Sequence, residues 1–153
     1  MEWIVQPEGY VPFEHIHISQ DEIFHVKQGE IRVMVNRQEQ VGKAGQTLTV
    51  PRGTRHIAYN NRPETLACVV EYKPGLDISR SFQCFSGLTC DGDVYGRYGI
   101  NIPKMMYFMK RMSAKALARP SNVPAPIFGV FMNIFYVYGL LAGWEKLYRK
   151  YTE

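Results

Sequence analysis

The chain has 153 residues, 46% apolar and 21% charged, an ordinary composition for a globular protein and enough length for one domain with a proper core. Its three cysteines (Cys68, Cys84 and Cys90) are an odd number with no C-x-x-C pair, which argues against a disulfide framework and fits a reducing compartment. The net charge of +4 hides a split: residues 1–93 hold 9 Lys+Arg against 12 Asp+Glu (−3), and residues 94–153 hold 9 against 2 (+7). The basic half points to an anionic surface as a partner.

The opening residues have no basic segment followed by an apolar one, so no secretory signal is expected and the chain is expected in the cytoplasm. Short strands are predicted at 3–6, 13–18, 22–27, 31–35, 39–43, 47–50, 56–60 and 65–72, separated by turn residues such as Asn36-Arg37 and Lys73-Pro74-Gly75. A last strand is predicted near 78–85. Frequent short strands of this kind read as an all-β barrel or sandwich.

Residues 86–103 are rich in glycine and aspartate and read as a linker, most clearly over 91–103. The period then changes. Apolar residues at 105, 108, 109, 112 and 116 have helical spacing, with Lys104, Lys110, Arg111, Lys115 and Arg119 as the charges of that helix. Pro120, Pro124 and Pro126 break it. A second helical run, 127–144, carries no formal charge, and 145–151 extends it.

Chemistry concentrates in two stretches. In the first, Gly9 is followed by His15-Ile16-His17, then Glu22, then Gly29. Residues i and i+2 of a strand share a face, so His15 and His17 present two imidazoles to a common point. Glu22, from the next strand or its turn, can add a carboxylate. In the second stretch, Gly45 is followed by Pro51-Arg52-Gly53, then His56, then Asn60. The Pro-x-Gly turn delivers the chain into a strand on which His56 is the obvious fourth ligand. Imidazoles and a carboxylate form an ordinary set of ligands for a divalent transition metal. His25, at odd spacing from Glu22, should face away. The glycines and Pro51 read as turn residues that set the register, and Asn60 as a turn or hydrogen-bonding residue.

The two stretches resemble the motifs of the cupins, G-x5-H-x-H-x3/4-E-x6-G and G-x5-P-x-G-x2-H-x3-N, at every fixed position from Gly9 to Gly29 and from Gly45 to Asn60. The resemblance covers roughly residues 1–90. It implies a mainly β fold, a jelly-roll β-barrel, here followed by two C-terminal α-helices. The expected plan is a cupin barrel over 1–90, a linker over 91–103 and a helical tail over 104–153. The resemblance also implies one metal held by His15, His17, Glu22 and His56. It does not choose a reaction, because one fold hosts many chemistries.

A metal-dependent protein acting on, or sensing, a small molecule in the barrel is the expected function. If it is an enzyme, oxygenase-type chemistry is the expectation, since three histidines and one carboxylate leave up to two positions open on a six-coordinate ion. The rivals are a binding protein without turnover and a sugar-type isomerase. The metal is one of Fe, Mn, Ni, Zn, Co or Cu. Tyr10, Arg55, Tyr59 and Tyr72 are the nearest ionisable or polar residues; the tyrosines are read as packing residues, and no catalytic residue is assigned beyond the metal shell. The cysteines read as small buried apolar groups. No nucleic-acid-binding motif is present. The uncharged run of the tail, flanked by Arg119, Lys146, Arg149, Lys150 and the aromatics Trp144, Tyr148 and Tyr151, fits two partners: an anionic membrane surface, which the helix would bind or span, or a second copy in a homodimer.

Overall fold

The computed structural model describes residues 1–10, 13–96, 99–112 and 118–153. They fall into two units: Met1–Gly75 with Ala118–Asn122, and Leu76–Leu117 with Val123–Glu153.

The first unit contains β1 (Glu2–Val5), β2 (His15–His17), β3 (Asp21–Gln28), β4 (Glu30–Val35), β5 (Gln38–Lys43), β6 (Thr47–Val50), β7 (Arg55–Tyr59), β8 (Leu66–Lys73) and β9 (Ala118–Pro120). The strands form two antiparallel sheets, β1-β8-β3-β6 and β5-β4-β7-β2-β9. No described strand is shared between them, so the expected closed barrel is instead a pair of sheets. Each sheet turns every second side chain inward: Phe24 and Val26 with the polar Glu22 on β3, Ile31, Val33 and Val35 on β4, Leu66, Cys68 and Val70 on β8. Burying each large aliphatic or aromatic side chain stabilises by roughly 1.5–3 kcal/mol. The β4–β5 turn is tight because Asn36 and Arg37 both adopt positive φ, 49° and 69°, which matches the twist of a two-residue hairpin.

β9 was not expected. Ala118-Arg119-Pro120 carries no strand pattern, yet it pairs with β2, His15 opposite Pro120 and His17 opposite Ala118. Proline is tolerated there because β9 is an edge strand. Arg119 therefore lies on a strand and not on the helix assigned to it; Lys115 and Ala116 lie outside the described residues. Ser121 holds the segment down: its N–H donates to the Glu14 carbonyl at 3.0 Å and its hydroxyl to the Glu14 carboxylate.

The second unit contains four helices among its described residues, not two: α1 (Ile78–Cys90), α2 (Ile102–Arg111), α3 (Ala125–Leu141) and α4 (Glu145–Thr152). α1 occupies the place of the predicted last strand and of the first part of the Gly/Asp-rich stretch. Its helical face, Cys84 and Leu88, packs with Tyr107, Phe108 and Met112 and with Trp144, Tyr148 and Tyr151. α2 begins at Asn101, whose side chain accepts from the Lys104 N–H, with Pro103 in the first turn. α3 packs on α2 through Phe128 and Met132 against Met106. Gly139 permits the closest approach, since a Cβ there would lie 2.3 Å from the Tyr107 ring.

The uncharged run does not continue straight. Gly143 takes φ +73°, and α4 leaves α3 at 95°. Among the described residues no single helix is long and apolar enough to cross a membrane; α3 and α4 reach that length and composition only as a bent pair. Cys68 and Cys84 are buried as expected, but Cys90, in the last turn of α1, is exposed.

Candidate metal centre

The centre lies where the inward faces of the two sheets become polar. β2 supplies His15 and His17 from one face, β7 supplies His56 directly opposite His15, and β3 supplies Glu22 at its start. The local sequence explains the placement. The Pro51–Gly53 turn leads into β7, and the Gly53 N–H donates to the His17 carbonyl at 2.7 Å, tying the turn to β2. Arg52 grips Asp21 with its backbone N–H (2.9 Å), Nε (3.0 Å) and a terminal nitrogen (2.9 Å), which fixes the start of β3. This contact holds the Asp21 carboxyl at about 2.

One ligand atom from each of His15, His17, Glu22 and His56 lies within 4.8 Å of the others, and all four residues are buried. His15 Nδ1 lies 3.1 Å from the Phe13 carbonyl oxygen and His56 Nδ1 lies 3.0 Å from that of Thr54. A carbonyl only accepts, so both Nδ1 atoms carry the proton and both Nε2 atoms keep their lone pairs. The His56 lone pair faces another acceptor, and that of His15 faces the His17 ring. His56 Nε2 lies 2.7 Å from Glu22 Oε2, His15 Nε2 lies 3.3 Å from His17 Nε2, and His17 Nε2 lies 3.6 Å from Glu22 Oε2. Buried acceptors that face one another repel unless a proton or a cation stands between them. The set therefore fits a divalent transition metal: neutral imidazoles and an ionised carboxylate, aimed at one point. His17 Nδ1 is buried without a hydrogen-bond partner, so nothing fixes its tautomer as the carbonyls do for the other two rings.

Electrostatics favour the same protonation states. Burial pushes His15 below the ordinary imidazole value, helped by His56, and pushes His17 down to about 4. Burial alone would raise Glu22, but the His56, His17 and His15 rings pull it below the usual carboxylate value. Burial thus favours the neutral form of His15 and His17, and Glu22 favours its ionised form.

Tyr72, read in the sequence as a packing residue, belongs to this centre. Its hydroxyl donates to Glu22 Oε1 at 2.7 Å, and its ring lies 5.3 Å from that of His17. Burial, then the Glu22 charge, raises its pKa, so it remains a phenol. No signal in the sequence alone marks it: the antiparallel pairing of β3 and β8 sets Glu22 opposite Tyr72. The other polar candidates are turned elsewhere. Arg55 pairs with Glu14, Tyr59 donates to Glu39, and Tyr10 is exposed. His25 faces outward to Glu71 and Thr47 at 3.0 and 3.2 Å. Asn60 is buried and structural: it donates to the Val5 and Glu64 carbonyls at 3.1 and 2.8 Å and accepts the Arg62 N–H at 3.0 Å.

Residues 1–72 match the family model described as "Cupin domain". The match covers 72 of the 153 residues, just under half of the chain. Among solved structures, this chain is similar to TT1209 from Thermus thermophilus, with 22% identity over 45% of this chain and 65% of that one and a TM-score of 0.42. It is similar to a conserved protein with a double-stranded β-helix domain from Klebsiella pneumoniae, with 25% identity, 46% and 58% coverage and a TM-score of 0.43. It is also similar to a Cupin 2 conserved barrel domain protein from Salinispora arenicola, with 22% identity, 46% and 58% coverage and a TM-score of 0.42. The match thus spans less than two thirds of the length of each of these structures. A comparison with curated proteins finds no match.

Proposed function

We propose that His15, His17, Glu22 and His56 hold one divalent transition metal, and that the chain acts on or senses a small molecule bound beside it. The observation that supports this reading is the inward set of lone pairs: two Nε2 atoms whose Nδ1 protons are committed to backbone carbonyls, aimed at a buried carboxylate and a third imidazole. Bound there, the ion would supply Lewis acidity and up to two of six positions for a small molecule and dioxygen, which favours oxygenase-type chemistry. Tyr72 keeps its proton and occupies Glu22 Oε1, so Oε2 is the oxygen left for the metal. Glu22 is held in one orientation, and the two backbone carbonyls hold His15 and His56 in theirs.

A second reading, binding without turnover, rests on a specific observation. Among the described residues, Arg55 and Tyr59 are committed to Glu14 and Glu39, away from the centre. Proton transfer would fall to Glu22 or Tyr72. A sugar-type isomerase is weaker still, since among the described residues no cluster of basic residues accompanies the four ligands. The test is a metal-reconstituted protein offered small phenols, diketones and thiols while dissolved oxygen and melting temperature are followed. Oxygen consumption supports the enzyme. Ligand-raised melting with no turnover under any metal supports the binding protein. The absence of both responses would remove the small-molecule reading.

A further inference from the structure

α3 is apolar on two faces, and α2 covers only one of them. Phe128 and Met132 are buried against Met106, with Met109 and Phe135 packed beside them. On the other face Ile127, Val130, Ile134, Val137 and Leu141 are 49, 58, 54, 57 and 84% exposed. Their spacing is three, four, three, four residues, the repeat of the seam along which two helices interlock. Phe131 and Tyr138 border the seam and are also about half exposed, 46 and 57%. No residue of α3 carries a formal charge.

The face has the size and composition of an interface between proteins. With Leu140 it comprises eight side chains, seven near half exposure and Leu141 more exposed still, which together present roughly 800 Å², about what one partner contributes to a standard interface. It is larger than the apolar patch of an ordinary monomer, and it is free of charge as interface centres are. Four of the five seam residues are β-branched and already restricted at χ1, so ordering them on contact costs little entropy.

A lipid surface fits less well. Helices that lie in a bilayer interface carry a cationic polar face, and α3 has none. The basic residues on its neighbours are largely engaged: Lys104 with Asp93, Arg111 and Arg149 with Glu145, Lys150 with Asp91. Trp144, Tyr148 and Tyr151, the aromatic flank, pack with α1 and α2. A spanning α3 would also be about 25 Å long, short of a hydrocarbon core of about 30 Å, and would draw Lys110 and Arg111 of α2 in with it.

We propose that this face of α3 is a homodimer interface, in which the seam of one copy packs on the same seam of a second. The contact is isologous, so every seam residue is buried twice in the dimer. α2 then backs α3 in each copy, giving a layer of four helices.

The test is light scattering and sedimentation of the full chain at micromolar concentration. Native protein should have twice the chain mass. Ile134→Lys and, separately, Leu141→Glu should return it to the mass of one chain. Circular dichroism should be unchanged, because both side chains are more than half exposed within one chain. Leu141, at the helix end and the most exposed, is the variant least able to disturb folding. A native chain that stays monomeric, or a dimer that survives Leu141→Glu, overturns the proposal. So does a monomer that cosediments with phosphatidylserine vesicles, which would put lipid where the second copy is placed.

Discussion

Tyr72→Phe removes one oxygen and leaves the ring beside His17 in place. What is lost is the hydrogen bond from the hydroxyl to Glu22 Oε1, 2.7 Å long. A hydrogen bond to a charged acceptor is worth about 1.5–3 kcal/mol. Loss of a group that orients a metal ligand typically weakens the metal by about 10–100-fold, which is about 1.4–2.7 kcal/mol. The two figures agree, so the variant should bind its metal about 10–100-fold more weakly while still taking one ion per chain at saturation. Competition against a chromophoric chelator measures the affinity, and circular dichroism checks the fold. An affinity within about twofold of the native value would mean that Glu22 does not need Tyr72 to present Oε2, and the orienting role would fall.

Two further outcomes follow from the same geometry. Burial holds His15 and His17 below the usual imidazole value, so the neutral, ligating form persists as pH falls. Metal should survive gel filtration through pH 6.5 and be shed only well below it; half-loss near 6.5 would contradict the buried environment. Asn60→Ala deletes buried hydrogen bonds to Val5, Glu64 and Arg62 and should destabilise by about 2–4 kcal/mol in denaturant titration with metal stoichiometry unchanged. Native stability in that variant would contradict the structural role.

Most of the strand order was legible because alternation and turn chemistry are local. β3, β4 and β8 each place every second side chain in the core, and that pattern survives in the sequence. α1 was misread because 78–90 follows a run of strands and contains Gly87. That glycine sits in the helix because Tyr151 packs on it, with its ring 2.3 Å from where a Cβ would stand. β9 was illegible for another reason: three residues ending in proline become a strand only through pairing with β2. The convergence of His15, His17, Glu22 and His56 could be anticipated from spacing. The role of Tyr72 could not, since it depends on which strand lies beside β3. The aromatic end of the tail was read as an interfacial flank, and the packing of Trp144, Tyr148 and Tyr151 with Phe108 becomes visible only once α4 turns away from α3.

The metal itself is the central claim, and elemental analysis of the full chain purified without chelator tests it most directly. Native protein should carry close to one divalent transition metal per chain, and the double variant His15→Ala/His56→Ala should carry almost none. Full occupancy in the double variant, or a native chain that takes up none of the divalent transition metals offered to it, would contradict the account.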